Sequence, residues 1–150
     1  MYRKILLALD HTASDELLLP EISALAKLMN SDLLVLHVAD GWVARNFEQL
    51  NLAASDEMKS DWGYIEEIAK RLRDQTGLKV ETRLALGDPP KQILEVADES
   101  KCDLIAMTSH GHRLVGDIFH GSTIEEVRHK ARVPMIIIPA ARRGSSTPQI

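Results

Sequence analysis

The chain has 150 residues, 45% of them hydrophobic, a formal net charge of −4 and one cysteine. That length suits a single domain with a sizeable two- or three-layer core. The acidic balance, with no basic stripe beyond the short Arg142-Arg143 pair, argues against nucleic acid as a main partner. Cys102 has no second cysteine to bridge, which agrees with a reducing compartment, and beside Asp103 at the head of an apolar strand it reads as a buried packing thiol. The apolar run after Arg3 and Lys4 stops at Asp10, too early for a signal peptide and too short for a span, so a cytoplasmic protein without membrane insertion is expected.

Residues 3 to 9 (RKILLAL) read as a strand buried on both faces. Thr12-Ala13-Ser14-Asp15 has the capping-box pattern, and Leu17, Leu18, Ile22, Leu25, Ala26 and Met29 follow at helical spacing, with a kink expected at Pro20. Asp32 to Ala39 is a second buried strand that includes His37. The weakly patterned stretch 40 to 56 reads as a long loop or partly helical lid. Glu57 to Gln75 follows as a helix whose Ile65, Ile68, Ala69 and Leu72 face inward. Lys79 to Leu86 alternates as a strand, Pro90 to Ser100 forms a short helix, and Asp103 to Thr108 is the fourth strand. A helix from Ser122 to about Lys130, with His129 suited to its carboxyl end, leads into a fifth strand, Val133 to Ile138. Strands and helices alternating in this way predict an α/β fold, an open five-stranded parallel sheet with helices on both faces.

In such sheets ligands bind beyond the carboxyl ends of the strands where strand order reverses. That rule selects Asp10-His11-Thr12 after the first strand and His110-Gly111 after the fourth. Gly111 and Gly121 bracket a loop that ends in Ser122-Thr123-Ile124-Glu125, a helix start. Glycines allow close backbone approach to an anion, and the helix amino end supplies N–H donors. The same residues also suit a plain glycine-then-cap junction. His110, His112 and His120 share this loop and could in principle gather around a metal, although contact with phosphate or solvent is the simpler role. Asp10 reads either as a ligand carboxylate or as a helix-entry residue bonded to nearby N–H groups. Asp117 and Arg113 read equally as magnesium or phosphate contacts and as solvated charges.

In this order KILLALD, LLVLHV, Gly87-Asp88-Pro89, DLIAMTSHG and VPMIIIP resemble the universal stress protein family over nearly the whole chain. The family pattern is Gly, two residues, Gly, nine residues, then Gly-Ser or Gly-Thr. Gly111 and Gly121-Ser122 match it with the spacing kept, and Thr108 stands where the first glycine would be. The resemblance implies a Rossmann-like, adenine nucleotide alpha hydrolase-like domain over residues 1 to 140, strand order 3-2-1-4-5, and a disordered tail over 141 to 150. It further implies ATP, with Mg or Mn, lying across the first and fourth strands. Asp10 would then lie near ribose and adenine, and the Val38 backbone would read the adenine edge. Gly111, Gly121, Ser122 and Thr123 would bind phosphate, with His11, Thr12, Thr108 and His110 beside them. A homodimer through Val133 to Ile138 is expected both from this resemblance and from the need to cover an apolar sheet edge.

No Gly-x-x-x-x-Gly-Lys-Ser/Thr motif supplies a phosphate lysine, so rapid phosphoryl transfer has no recognisable machinery. Three readings stay open: an ATP-binding sensor of the stress response acting on an unknown protein partner, a ligand-free dimeric interaction protein, and a slow ATPase.

Overall fold

The computed structural model describes residues 1–40, 51–109 and 121–140. They build β1 (Lys4–Leu9), α1 (Asp15–Met29), β2 (Asp32–Asp40), α2 (Asn51–Thr76), β3 (Val80–Gly87), α3 (Pro89–Glu99), β4 (Leu104–Ser109), α4 (Gly121–Lys130) and β5 (Met135–Pro139). The strands form one parallel sheet in the order β3-β2-β1-β4-β5. The expected α/β class and strand order are both present. The chain walks outward from β1 to β3, then crosses back to the other side of β1, so the reversal lies between β1 and β4.

Alternation along the strands divides the core into two layers. Leu7, Leu9, Val35, Leu104 and Ala106 face one layer with Leu18, Ile22, Ile65, Ile68 and Leu72 of α1 and α2. Leu6, Ala8, Leu36, Val38, Ile105 and Met107 face the other with Ile93 and Val96 of α3 and Val127 of α4. β1 is closed off at its amino end by the Asp103 carboxylate, which accepts hydrogen bonds from the N–H groups of Arg3 and Lys4 at 2.9 to 3.1 Å. Cys102 is buried in the second layer, as expected for a packing thiol.

Two expectations are corrected. α2 starts at Asn51, six residues before Glu57, because Leu52-Ala53-Ala54 favour helix by propensity without making an apolar stripe. The Thr12–Asp15 capping box is not formed as read, since Ser14 occupies the α1 cap without a side-chain bond. α1 continues through Pro20, which lies on its exposed face, and α4 begins at Gly121, one residue before Ser122. The proposed tail, 141 to 150, and residues 41 to 50 lie outside the described residues.

Leu7 is fully buried between Val35 and Ala106 on the adjoining strands. Leu7→Ala is therefore expected to cost about 2 to 5 kcal/mol, read as a lower urea midpoint with an unchanged slope.

Candidate functional site

The end of β1 is a notch. Its ladder with β2 stops at Leu9↔His37, while β2 continues against β3 through Asp40↔Gly87. Its ladder with β4 stops at Leu7↔Ala106, while β4 continues against β5 through Ser109↔Pro139. β2 therefore outruns β1, and its β1-facing backbone edge from Val38 has no strand to bond, while on the other side β1 and β4 part after Leu7↔Ala106 although β1 runs on to Leu9 and β4 to Ser109.

The chain leaves β1 in a tight turn. The Asp10 side chain is nearly fully buried, and its Oδ1 accepts hydrogen bonds from the Thr12 N–H at 3.1 Å and the Thr12 hydroxyl at 2.7 Å. The helix-entry role of Asp10 is thus present in the fold. His11 takes φ of +62°, the left-handed region that costs a non-glycine residue about 1 to 3 kcal/mol. Asp15, one turn on, reaches back. Its Oδ1 accepts from the Asp10 N–H at 3.2 Å and its Oδ2 from the His11 N–H at 3.0 Å. A carboxylate in the first turn of α1 holds the two amides that the strand ladder leaves behind.

α2 completes the cluster. The Tyr64 hydroxyl donates to Asp15 Oδ2 at 2.6 Å, and its ring stacks on His11 with centroids 4.0 Å apart. The Asp61 Oδ1 accepts a hydrogen bond from His11 Nδ1 at 2.7 Å and lies 3.5 Å from His37 Nε2, an ion-pair distance rather than a hydrogen bond. His37 Nδ1 donates to the Leu9 carbonyl at 2.9 Å. With that nitrogen carrying a proton, Nε2 presents a second one to Asp61 only in the imidazolium form.

The electrostatics follow from this geometry. Burial first, and the Asp10 charge second, push the Asp15 carboxyl up to about 7. Burial alone would lower the His37 pKa, but the Asp61 and Leu9 contacts outweigh it and hold the imidazole above its ordinary value. Burial likewise opposes ionisation of Asp61, and the two histidines overcome it to hold the carboxylate below its ordinary range. Tyr64 is raised by burial and by Asp15.

Of the sequence-derived site residues, Asp10, His11 and Thr12 form the turn, and Val38 is buried at the point where β2 outruns β1. Thr108 is fully buried in regular β4, and its hydroxyl has no hydrogen-bond partner among the described residues. Non-glycine residues with positive φ are, among the described residues, His11, Asn30 and Lys101, so Thr108 does not need a glycine-like backbone. Gly121 and Ser122 open α4, and Thr123 is buried in it. His110, Gly111, His112 and His120 lie outside the described residues, and among those described no group of three His, Cys, Asp or Glu side chains could hold a metal ion.

Asp15, Asp61, Tyr64 and the polar role of His37 were missed by the sequence reading. A signal for Asp61 was present, since it occupies the first position of the inward series 61, 65, 68, 72 and so puts a carboxylate in an apolar stripe. A cavity of about 430 Å³ lies at the opposite end of the sheet, lined by Leu94, Cys102, Ile105, Lys130, Arg132 and Val133 among others. It adjoins the amino end of β4, away from the switch point, and burial pushes the Cys102 thiol up to about 11, which leaves it unreactive near neutral pH.

A crevice at the switch point of a 3-2-1-4-5 sheet defines a Rossmann-like domain of the kind that takes ligands beyond its strand ends. The family model described as the universal stress protein family matches residues 1–139, and the chain belongs to that family. It is 29% identical to the universal stress protein MJ0577 of Methanocaldococcus jannaschii, over 92% of this chain and 95% of that protein. The solved structure of MJ0577 superposes with a TM-score of 0.81 at 30% identity, covering 97% of this chain and 99% of that one. A universal stress protein from Archaeoglobus fulgidus in complex with dAMP shares the fold at TM-score 0.65 and 24% identity, covering 91% and 98%. Another, solved in complex with cAMP, does so at TM-score 0.66 and 18% identity, covering 93% and 98%. Among the described residues no helix is long and apolar enough to cross a membrane.

Asp15 and His37 give the fold a pH dependence of one sign. Each has a folded pKa above its ordinary value, so the stability each contributes is complete below the ordinary value and is lost as pH rises through the raised one. Asp61 is the opposite case, with stability lost only as pH falls through its lowered value. Thermal midpoints are therefore expected to fall as pH rises from about 4 to about 7, where the folded chain gives up the Asp15 proton, with His37 adding to the fall above about 6.5. Asp15→Asn should flatten that slope, and melts of both proteins across the range check it.

Proposed function

We propose that this universal stress protein binds an adenine nucleotide, ATP with Mg or Mn, across the ends of β1 and β4 and acts as a regulatory sensor of the stress response rather than as an efficient enzyme. The notch at the end of β1 carries this reading. The β1-facing edge of β2 runs on without a strand partner from Val38, and β1 and β4 part after Leu7↔Ala106, which suits the crevice around the Asp10 turn to a flat heterocycle on the β2 side and an anion on the β4 side. Val38 begins the β2 edge, and α4 starts at Gly121, so its amino end follows the loop from β4 as an anion site requires. The residues present fit the nucleotide. Asp10, His11, Thr12 and Val38 would hold the nucleoside, and Gly111, Gly121, Ser122 and Thr123 the phosphates, with Thr108 and His110 beside them. The relatives in complex with dAMP and cAMP support an adenine ligand for the fold.

When bound, the metal would neutralise phosphate charge, and with no Gly-x-x-x-x-Gly-Lys-Ser/Thr motif to supply a phosphate lysine the reading is one of binding rather than rapid turnover. Gly121→Val, which adds a branched side chain where the backbone must approach phosphate, is expected to weaken ATP by about tenfold or more in titration calorimetry. Equal affinity in the two proteins would move the phosphate site elsewhere.

The same reading includes a homodimer. β5 is a sheet edge, and its Met135, Ile136, Ile137 and Ile138 are each only partly buried in the single chain. Ile136→Lys is expected to give monomers in sedimentation at about tens of micromolar, a range in which a micromolar dimer of the parent chain persists.

A further inference from the structure

We infer that Asp61 is a positioning residue for this site: α2 holds the β1–α1 turn through a His11–Asp61–His37 bridge, and nucleotide affinity is tied to the charge on that one carboxylate and to the Nε2 proton of the His37 imidazole facing it. The inference rests on the nucleotide reading and adds its regulation.

The bridge spans three elements. His11 belongs to the turn, His37 to β2 and Asp61 to α2, and a single carboxylate oxygen faces both rings at 2.7 and 3.5 Å. His37 is fully enclosed, with its other nitrogen committed to the Leu9 carbonyl. Loss of the Nε2 proton would turn a lone pair toward a carboxylate with little water to intervene. The contact is then repulsive, and α2 loses its hold on β2. His11 is the more exposed partner and carries the effect to Asp10 and Thr12, because the contacts of its ring with Asp61 and Tyr64 help to offset the strain of its backbone, alongside the Asp15 carboxylate on its N–H.

Every other charged group near the bridge works in the same direction or is already paired. On α1, Asp15 favours the His37 imidazolium as it ionises near about 7, and Asp10 on the turn is engaged by Thr12. On α2, Tyr64 is neutral and donates to Asp15. Glu16 of α1 is paired with Arg71 of α2 at 2.8 Å, a further tie between the two helices. On the β1 side the bridge meets only the Leu9 carbonyl. The bridge thus closes when His37 carries its second proton and Asp61 is ionised, and opens as pH rises through the raised His37 value.

The test compares the intact chain with Asp61→Asn, which keeps the shape and removes the charge. Hydrogen exchange of the ligand-free proteins at the His11 and Thr12 amides, corrected for intrinsic rate, is expected to be about tenfold faster in the variant at about pH 6 and to converge at about pH 8. Calorimetry with ATP should find the parent chain about tenfold tighter than Asp61→Asn at about pH 6, with the ratio shrinking toward one at about pH 8. Taking the ratio cancels titration of the nucleotide's own phosphates. Asp61→Glu, which keeps the charge at altered reach, should recover part of the affinity and all of the pH trend. A ratio that does not change with pH, or unchanged exchange in the variant, overturns the inference. Absence of ATP binding by the parent chain at every pH removes the nucleotide reading and the affinity claim with it, while the exchange result still decides whether Asp61 holds the turn.

Discussion

The Asp15 carboxylate is the joint on which the upper half of the molecule depends. It sits in the first turn of α1 with no exposure, accepts the N–H groups of Asp10 and His11 as they leave β1, and takes the Tyr64 hydroxyl from α2. Three separate elements meet on two oxygen atoms. A buried carboxylate is costly by itself, and two amides and a phenol together supply the hydrogen bonding that water would otherwise give. The arrangement fixes where β1 stops. By taking the Asp10 and His11 amides, Asp15 sends the chain into a turn while β2 runs on, next to the place where β1 and β4 have already parted after Leu7↔Ala106.

That notch gives the sheet's polarity a use. The amino end of β1 is closed by another carboxylate, Asp103 on the Arg3 and Lys4 amides, and the two apolar layers fill both faces. Little is left for binding except the carboxyl end, where backbone edges, a buried Asp10 and the amino ends of α1 and α4 converge. The cavity beside Cys102 has volume but lies at the wrong end of the strands and offers an unreactive thiol. Volume alone is therefore a poor guide here, and the ladder termini are a better one.

Much of the fold was legible because its signals are local and repeated. Five apolar runs and the switch from period 2 to period 3.6 are enough to order the elements, and the Gly121-Ser122 junction marks a helix start to within a residue. What could not be read depends on distant pairings. Thr12 and Asp15 have the right spacing for a capping box, yet Asp15 bonds amides four and five residues back because the strand end, not the helix end, holds the unsatisfied donors. His37 looks like any enclosed strand residue until a carboxylate 24 positions later in the chain is brought beside it. Asp61 could have been flagged from its place in an apolar stripe, but its partners could not.

Position 11 shows how these levels constrain one another. A left-handed turn after a strand is ordinarily given to glycine, which adopts that backbone without penalty. Histidine is strained there, by about 1 to 3 kcal/mol on the usual scale. What offsets the strain is the ring, which glycine lacks: it stacks on Tyr64, meets His37 edge-on at 6.0 Å and bonds Asp61. The turn is thus held by side-chain contacts to another helix rather than by its own backbone preference. A turn built that way responds to whatever changes those contacts, whereas a glycine turn would be indifferent to them. The strain at His11 and the bridge through Asp61 are in this sense one feature, because the ring that offsets the strain is the same ring that joins the turn to α2 beside the Asp15–Tyr64 link.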